Sequence, residues 1–240
     1  MLPLATVNTQ PPEPLSLRED GALEVHSIFL TIQGEGPLAG TPAVFLRLAG
    51  CNWDCKSCDT EYTSTRELLP VSACEARVLS AAVAGDSAAN LLVLTGGEPF
   101  RQNVSLLVER FLGEGWQVQI ETNGTLPPPF GFVPATRRFS LVCSPKAPKV
   151  HGRTAAIVDA YKYIVDADNV DEDGLPKTTM GQPLAVARPP AGFPRDRVYV
   201  QPLDVGDPEQ NRRNERAAVA SCLKHGYKLS YQIHKHLGLE

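Results

Sequence analysis

Apolar and polar positions along the chain alternate in a way that is typical of a protein built on a β-sheet. Short apolar runs, or runs in which every second residue is apolar, predict strands. Eight segments have this pattern: Leu23 to Thr31, Ala43 to Leu48, Leu91 to Leu94, Trp116 to Ile120, Arg138 to Val142, Tyr161 to Val165, Val198 to Val200 and Tyr227 to Ile233. The run from Leu91 to Leu94 is apolar throughout, as expected of a strand that is buried on both faces.

Helical periodicity fills some of the gaps between these strands. Apolar residues recur at helical spacing, and a glycine stands at or near the end of each segment, in Ser72 to Ala84, Asn103 to Leu112 and Pro208 to His225. No clear helix separates the first two strands, or the strands that begin at Arg138 and Tyr161. Strands that alternate with helices predict an α/β fold with a parallel sheet or a partial barrel.

A polar or glycine-rich motif follows strand after strand. In parallel α/β folds, ligands bind beyond the C-terminal ends of the strands. The motifs at this end are Ile32 to Gly36, Cys51 to Thr60, Thr95 to Pro99, Glu121 to Gly124, Ser144 to Lys146 and Gln201 to Asp204. Their regular placement predicts that they surround one shared site.

Length and composition are those of one globular domain. The chain has 240 residues, and 42% of them are hydrophobic, which is enough to bury a core. We expect residues 1–22, which include Pro3, Pro11, Pro12 and Pro14, to form a flexible N-terminal arm. Residues 23–240 then form a single domain, within which residues 166–194 are a polar insert rich in proline and glycine.

Charge and cysteine usage limit the partners and the compartment. The formal net charge of −4 argues against a nucleic-acid-binding surface, which needs a basic patch. No apolar run approaches the roughly 20 residues of a membrane-spanning helix. Three of the six cysteines are clustered, a distribution that fits metal binding in a reducing, cytoplasmic compartment better than a disulfide framework.

The clustered cysteines are Cys51, Cys55 and Cys58, with gaps of three and two residues. Closely grouped thiolates select iron–sulfur clusters, zinc or copper(I), and the spacing alone leaves zinc and a cluster both open. A structural zinc site needs a fourth protein ligand. The nearest candidates do not suit: Cys74 lies in a helical pattern and His26 on the far side of a strand. An iron–sulfur cluster with one open iron is therefore favoured.

This cysteine spacing resembles that of the radical S-adenosylmethionine superfamily, and the segment Gly96-Gly97-Glu98-Pro99 resembles the superfamily's motif for the methionine amino group. The resemblance implies a radical SAM core: a partial (β/α) barrel of mostly parallel strands with a reduced helix complement. It also implies a [4Fe–4S] cluster on Cys51, Cys55 and Cys58. The open iron would bind S-adenosylmethionine, whose reductive cleavage gives a 5′-deoxyadenosyl radical.

Taken together, the strand-end motifs resemble one subfamily, 7-carboxy-7-deazaguanine synthase, over Val25 to Glu240. The superfamily commonly has an aromatic residue before the third cysteine, where this chain has Ser57, and Trp53 is a possible substitute for packing on adenine. The resemblance implies that S-adenosylmethionine is bound by Ser57, Gly96, Gly97, Glu98, Glu121, Ser144, Pro145, Lys146, Gln201, Pro202, Leu203 and Asp204.

The same resemblance implies the reaction and its substrate. The enzyme would convert 6-carboxy-5,6,7,8-tetrahydropterin to 7-carboxy-7-deazaguanine with loss of ammonia, on the pathway to queuosine. The adenosyl radical abstracts the hydrogen, so no side chain is required for that step. Thr60 would ligate Mg²⁺, and the pterin would contact Ile32, Gln33, Gly34, Glu35, Arg47, Thr95, His234 and the C-terminal Glu240.

The subfamily reading also carries expectations about partners. We expect a homodimer, because a sheet with few helices leaves apolar surface. We also expect an electron donor such as flavodoxin or ferredoxin.

Three alternatives stay open at this point. One is a different radical enzyme, such as a glycyl-radical activase, which would lack the features at Gln33–Glu35 and His234–Glu240. Another is a non-catalytic zinc-binding module that uses the three cysteines structurally. A pterin-binding enzyme without radical chemistry is the third, and it would leave the thiolates unexplained.

Overall fold

The computed structural model describes residues 8–129 and 136–239. The nine strands in these ranges form one open sheet. Its strand order is β3-β1-β2-β4-β5-β6-β7-β8-β9. The strands are β1 (Leu23–Ile32), β2 (Pro42–Leu48), β3 (Glu67–Leu69), β4 (Leu91–Gly96), β5 (Gln117–Thr122), β6 (Phe139–Cys143), β7 (Ala160–Val165), β8 (Val198–Pro202) and β9 (Lys228–Leu229). The expected mostly parallel, partial-barrel α/β architecture is confirmed.

The sheet is parallel from β2 to β9, and only β1 runs antiparallel to its neighbours β2 and β3. Antiparallel neighbours need no crossover helix, so residues 33–41 join β1 to β2 with only the short 3-10 helix Gly36–Leu38, which explains why the sequence shows no clear helix there. Because β3 and β9 form the two edges, the sheet curves without closing.

Few helices cover the sheet. They are α1 (Val71–Ala84), α2 (Ser105–Gly113), the short α3 (Gly152–Ala155), α4 (Pro208–His225) and the C-terminal α5 (Ile233–Leu237). One core cluster joins α1 and α2 to β1, β2, β4 and β5. A second core cluster lies where α4 packs against β7 and β8. Asp207 caps α4 by accepting a hydrogen bond from the Gln210 backbone N–H.

The face of the sheet that α1, α2 and α4 do not cover changes from apolar to polar toward the C-terminal ends of the strands. Successive side chains on one face are two residues apart. The lower part is filled by Ala43, Leu91 and Val93 in one cluster and by Val142, Ala160 and Tyr199 in another. Two or four residues further on, at the C-terminal ends, stand Arg47, Thr95, Ser144, Lys162 and Gln201. This pattern places the polar site above an apolar base.

The end of the chain differs from the expected strand Tyr227 to Ile233. Only Lys228 and Leu229 pair with β8, and α5 begins at Ile233. The turn brings Ile233 back toward the first strand, where its backbone N–H donates to the Gly34 carbonyl at 3.4 Å. Elements as short as β3, α3 and α5 are missed because a periodic pattern needs more residues than they contain.

Two segments outside the sheet contact the cysteine loop (residues 51–60). Within the expected arm, residues 8–16 hydrogen-bond to the loop and its surroundings instead of extending freely. The insert also reaches the loop, where the Ser57 backbone N–H donates to the Met180 carbonyl at 3.4 Å and the Gln182 amide donates to the Asp54 carbonyl. Among the described residues, no helix is long and apolar enough to cross a membrane.

Candidate active site

The cysteine loop leaves the C-terminal end of β2 and carries three free thiols, Cys51, Cys55 and Cys58. Burial raises the pKa of Cys51 to about 12 and that of Cys58 to about 11, and it raises the pKa of Cys55 as well. A thiol in such surroundings stays protonated unless a cationic centre stabilises the thiolate. A bound metal group would supply this positive charge.

The donor set suits a cluster with one iron left for another ligand. Each sulfur of a cubane site binds a different iron, so three thiolates need not converge on one point. In the described part of the chain, no three His, Cys, Asp or Glu side chains are gathered around a position for a single metal ion. Three sulfur donors without a fourth in the same loop therefore fit the expected [4Fe–4S] group.

The glycine motif after β4 packs directly against the start of the cysteine loop. Gly97 N–H donates to the Leu48 carbonyl at 3.0 Å, and Glu98 N–H donates to the Gly50 carbonyl at 3.1 Å. A Cβ on Gly97 would lie 1.8 Å from the Gly50 oxygen, so only glycine fits there. At Gly96, φ is +109°, which is also a glycine conformation. This contact fixes the backbone of residues 96–98 beside the cysteines.

Glu98 is buried, and its carboxylate is occupied within the protein. It accepts hydrogen bonds from the Phe100 N–H (3.0 Å), the Thr122 hydroxyl (2.7 Å) and the Asn123 N–H (2.7 Å). Burial nevertheless raises its pKa to about 7. The side chain ties the end of β4 to the end of β5, so a cofactor contact from this residue would come from its backbone.

The loop after β5 touches the cysteine loop through side-chain amides. The Asn123 amide donates to Asn52 Oδ1 at 2.9 Å and to the Cys51 sulfur at 3.9 Å. The Asn52 amide in turn donates to the Thr125 hydroxyl at 2.8 Å. The sequence gives Asn123 only a role in a turn, because an Asn-Gly pair is a common turn signal.

The buried ammonium group of Lys146 lies close enough to the thiols to affect their ionisation. Lys146 donates to the Ser144 hydroxyl at 2.6 Å, and burial lowers its pKa. Its charge offsets part of the rise that burial causes in the pKa of the Cys55 and Cys58 thiols. Pro145 between them is buried as well. Residues 144–146 are therefore close to the expected cluster.

The end of β8 and the two residues after it link the sheet to the C-terminal helix. The Gln201 side-chain oxygen accepts a hydrogen bond from the Ser230 hydroxyl at 3.1 Å, and Pro202 lies opposite Val165 in the sheet. Leu203 N–H donates to the Val165 carbonyl at 2.8 Å. Asp204 pairs with Lys235 of α5 at 3.3 Å.

A pocket of about 120 Å³ opens at the C-terminal ends of these strands. The structure brings together here most of the residues expected to bind substrate and magnesium, namely Ile32, Gln33, Glu35, Arg47, Thr95, His234 and Thr60. Gly34 lies against His234. Glu240 lies outside the described residues. A second cavity of about 320 Å³ lies between β1 and α1 and contains none of the motif residues.

Lys162 connects two carboxylates at the inner end of this pocket. It forms an ion pair with Glu35 and lies 3.5 Å from Glu121, which also accepts a 3.0 Å hydrogen bond from the Gln33 amide. Burial disfavours the lysine charge, but the two carboxylates outweigh it and raise the pKa of Lys162. The sequence shows Lys162 only as one residue of an apolar strand. The signal in the sequence was the place of Lys162 between Tyr161 and Tyr163. Side chains alternate along a strand, so the lysine points to the face opposite the two tyrosines.

Residues next to the cysteines join the outer rim of the pocket to α5. The Gln232 amide donates to Glu35 at 2.6 Å and to Asp59 at 3.0 Å. Lys235 pairs with Asp59 at 3.1 Å. The Asp59 side chain is about half exposed; desolvation opposes its ionisation, but Lys235 and Gln232 hold the pKa of its carboxyl at about 2. None of Asp59, Gln232 and Lys235 is singled out by sequence reasoning.

One wall of the pocket is aromatic and ends in a cation. Phe29 and Phe45 stack with their ring centroids 5.5 Å apart, and the Arg47 guanidinium lies 5.1 Å from the Phe29 centroid. This arrangement suits a flat ring that carries an anionic group.

The predicted magnesium ligand Thr60 and the loop residue Ser57 are held by their backbones. The Thr60 carbonyl accepts hydrogen bonds from the Gln10 amide at 3.1 Å and the Cys58 thiol at 3.6 Å. Together with Asp59, Thr60 brings oxygen donors to the pocket, as a hard ion such as Mg²⁺ requires. Ser57 faces the insert, and the buried Trp53 Nε1 has no hydrogen-bond partner among the described residues.

Comparison with known proteins agrees with this geometry. Residues 32–124 match the family model of the 4Fe–4S single cluster domain. The chain is 41% identical to the 7-carboxy-7-deazaguanine synthase of Rhodospirillum rubrum, over 89% of this chain and 91% of that protein. It is 37% identical to the synthase of Rickettsia prowazekii, over 93% of this chain and 92% of that protein.

A solved structure supports the fold. The crystal structure of QueE from Escherichia coli matches with a TM-score of 0.63 and 22% sequence identity, over 88% of this chain and 94% of that one. At this identity the match concerns the architecture alone.

The fold and the cysteine loop together define an iron–sulfur enzyme of the radical S-adenosylmethionine class, built on an open parallel barrel. Within this class, the chain belongs to the 7-carboxy-7-deazaguanine synthase family.

Proposed function

We propose that this enzyme converts 6-carboxy-5,6,7,8-tetrahydropterin to 7-carboxy-7-deazaguanine with loss of ammonia, a carbon–nitrogen lyase reaction in the biosynthesis of 7-deazapurines such as queuosine. The observation that carries the proposal is the pocket that Asp59 and Thr60 of the cysteine loop line together with the polar strand ends. The pocket contains carboxylates, an amide and an arginine beside an aromatic wall. This combination matches a flat, carboxylated pterin.

The cluster and S-adenosylmethionine, when bound, supply the one-electron chemistry that starts the reaction at the substrate's C6. The protein's part is to hold these groups and to orient the pterin. Cys51, Cys55 and Cys58 would hold the cluster. The backbone of residues 96–98 and the segments 144–146 and 201–204 would hold S-adenosylmethionine. All three lie at the C-terminal ends of parallel strands, on the same side of the sheet.

Recognition of the pterin follows from charge and hydrogen bonding. The pyrimidine ring of a pterin carries N–H donors, for which the Glu35 and Glu121 carboxylates are acceptors. Sequence resemblance assigns Glu121 to the cofactor, but its place in the pocket next to Gln33 supports a contact with the pterin. Arg47 and His234 would face the substrate's carboxylate. Held in this way, the reacting carbon has one orientation, which limits side reactions of a radical.

The remaining partners belong to the same proposal. Mg²⁺ at Thr60 would bind oxygen atoms of the pterin. The C-terminal carboxylate of Glu240 would contact the substrate. We further propose a homodimer and reduction by a small electron carrier such as flavodoxin or ferredoxin. The six free thiols fit a reducing cytosol.

The three alternatives lose their support. A zinc module is not favoured, because the matching family model is that of a 4Fe–4S cluster domain. A glycyl-radical activase is not favoured either, because the relatives are synthases that match over about nine-tenths of the chain. A pterin-binding enzyme without radical chemistry would leave the cysteine loop without a role.

Anaerobic spectroscopy and binding test the proposal. Reconstituted protein should contain about four irons per chain and show a reduced-cluster EPR signal that changes when S-adenosylmethionine is added. It should also bind 6-carboxytetrahydropterin more tightly than a tetrahydropterin that lacks the carboxylate. A colourless protein with bound zinc would contradict the cluster. Equal binding of the two pterins would contradict the substrate.

A further inference from the structure

The N-terminal segment 8–16, called the strap here, runs along the cysteine loop. The Asn8 backbone N–H donates to the Lys56 carbonyl at 2.8 Å, and its side-chain amide donates to the Cys55 carbonyl at 3.0 Å. Further along the strap, the Glu13 N–H donates to the Cys51 carbonyl at 2.7 Å. The strap thus bonds to the peptide groups of two of the three expected cluster ligands.

Gln10 extends these contacts to the far end of the loop. Its amide nitrogen donates to the Thr60 carbonyl at 3.1 Å, and its amide oxygen accepts from the Tyr62 N–H at 2.8 Å and the Thr63 hydroxyl at 3.1 Å. The Asn8 side-chain oxygen accepts from the Gln10 amide at 2.9 Å. The two side chains therefore act as one interlocked unit.

Buried charge anchors the other end of the strap. Glu13 pairs with Arg66 and lies 3.4 Å from Arg101. The Arg101 side chain is only 3% exposed, and it donates to the Pro14 and Ala49 carbonyls, both at 3.0 Å. Ala49 lies two residues before Cys51, so the same arginine holds the strap and the entry to the loop.

The loop has a physical need for this support. Residues 51–66 contain neither helix nor strand, so their carbonyls have no ladder of backbone donors. Four of these carbonyls, those of Cys51, Cys55, Lys56 and Thr60, receive hydrogen bonds from the strap. Carbonyls that lose these donors need new partners, and a loop in that state would sample other conformations.

We propose that the strap positions the cysteine loop for cluster binding, with Asn8 and Gln10 as its positioning residues. The inference rests on the cluster of the proposed function. It assigns a role to a segment in which the sequence shows, apart from Leu15, only prolines and polar residues.

Alanine substitutions within the strap test this inference with a matched control. Asn8→Ala/Gln10→Ala removes the side-chain bonds. Thr9→Ala makes the same kind of change at an exposed position between them, whose side chain makes no hydrogen bond to the loop in the described residues. The measurements are the rate of cluster loss in air, followed by absorbance, and hydrogen exchange of residues 51–63 in the apo-protein.

The expected result is selective. The double variant should lose its cluster on the order of tenfold faster than wild type, the factor that corresponds to losing about one net hydrogen bond's contribution. Exchange in residues 51–63 should also be faster, while Thr9→Ala matches wild type in both measurements. Comparison of the apo-protein melting temperatures separates a local effect from general unfolding.

Two results would overturn the inference. One is an unchanged rate of cluster loss in the double variant. The other is faster loss that is matched by a lower melting temperature and by faster exchange throughout the protein. Failure of wild type to take up a cluster would instead contradict the proposed function, so the two failures are distinguishable.

Discussion

The His234 imidazole occupies the space beside Gly34, where a Cβ would lie only 1.9 Å from its Nδ1 atom. Gly34 is not in a left-handed conformation, so space and not backbone freedom requires glycine at this position. The Ile233 N–H reinforces the contact by donating to the Gly34 carbonyl at 3.4 Å. Helix α5 is thereby docked on the end of the first strand, and the pocket wall depends on that docking.

Gly34→Ala should displace His234 and α5 from the pocket. A displacement of about 1 Å at a reacting centre can cost on the order of 100-fold in rate, so we expect a loss of roughly this size in kcat/KM. The cluster should be retained, because Gly34 does not contact the cysteines. Steady-state kinetics and iron content test this, with Gly113→Ala as the control, since a Cβ there meets nothing within 4 Å. Normal turnover in Gly34→Ala would remove α5 from the site.

Lys162→Met should destabilise the apo-protein because it leaves the partly buried Glu35 and Glu121 carboxylates without their cation. Removing one partner of a buried ion pair costs about 3 kcal/mol, and the Lys162 side chain is only 7% exposed. Urea denaturation should show this loss. Lys162→Met/Glu35→Gln should recover part of the stability but none of the turnover. A single variant as stable as wild type would contradict the role of the lysine.

Much of the architecture follows from patterns that the sequence displays. The strands β1, β2 and β4 to β8 and the helices α1, α2 and α4 each contain enough residues for periodicity to show. The cysteine spacing and the Gly96–Pro99 motif likewise indicate a cofactor without any coordinates.

What the sequence does not show are contacts between residues that are distant along the chain. Lys162 meets Glu35 only because β7 and the end of β1 face the same interior. Gln232 meets Asp59 only because α5 folds back over the cysteine loop. The docking of residues 8–16 on the cysteine loop depends on carbonyl groups, which have no signature in the side-chain pattern.

Glu98 makes stability depend on pH. Its pKa is about 7 in the folded protein against a usual value of 4.5, so the folded state retains a proton that the unfolded state releases. The stabilisation is complete below pH 4.5 and is lost as the pH rises through about 7. Two and a half pKa units correspond to roughly 3 kcal/mol.

The pH effect is measured as a difference between two apo-proteins. Glu98→Gln cannot titrate, so the free energy of unfolding of wild type should fall relative to that of the variant between pH 4.5 and 7. Subtraction cancels the titration of all other groups. Parallel curves over this range would show that Glu98 titrates normally.

Arg47→Lys should weaken pterin binding without affecting the cluster. A lysine keeps the charge but loses the planar group that lies over Phe29 and can form two parallel bonds to a carboxylate. The loss of a charged hydrogen bond of about 1.4 kcal/mol or more would raise KM at least about tenfold. Anaerobic kinetics at several pterin concentrations give KM and kcat separately. An unchanged KM would show that Arg47 does not face the substrate.

Formation of the deazapurine itself tests the central claim most directly. The cluster-loaded protein would be incubated anaerobically with reductant, S-adenosylmethionine, Mg²⁺ and 6-carboxy-5,6,7,8-tetrahydropterin, and the products would be identified by mass spectrometry. We predict repeated turnover to 7-carboxy-7-deazaguanine that depends on both the protein and S-adenosylmethionine. Cleavage of S-adenosylmethionine without any deazapurine would contradict the account.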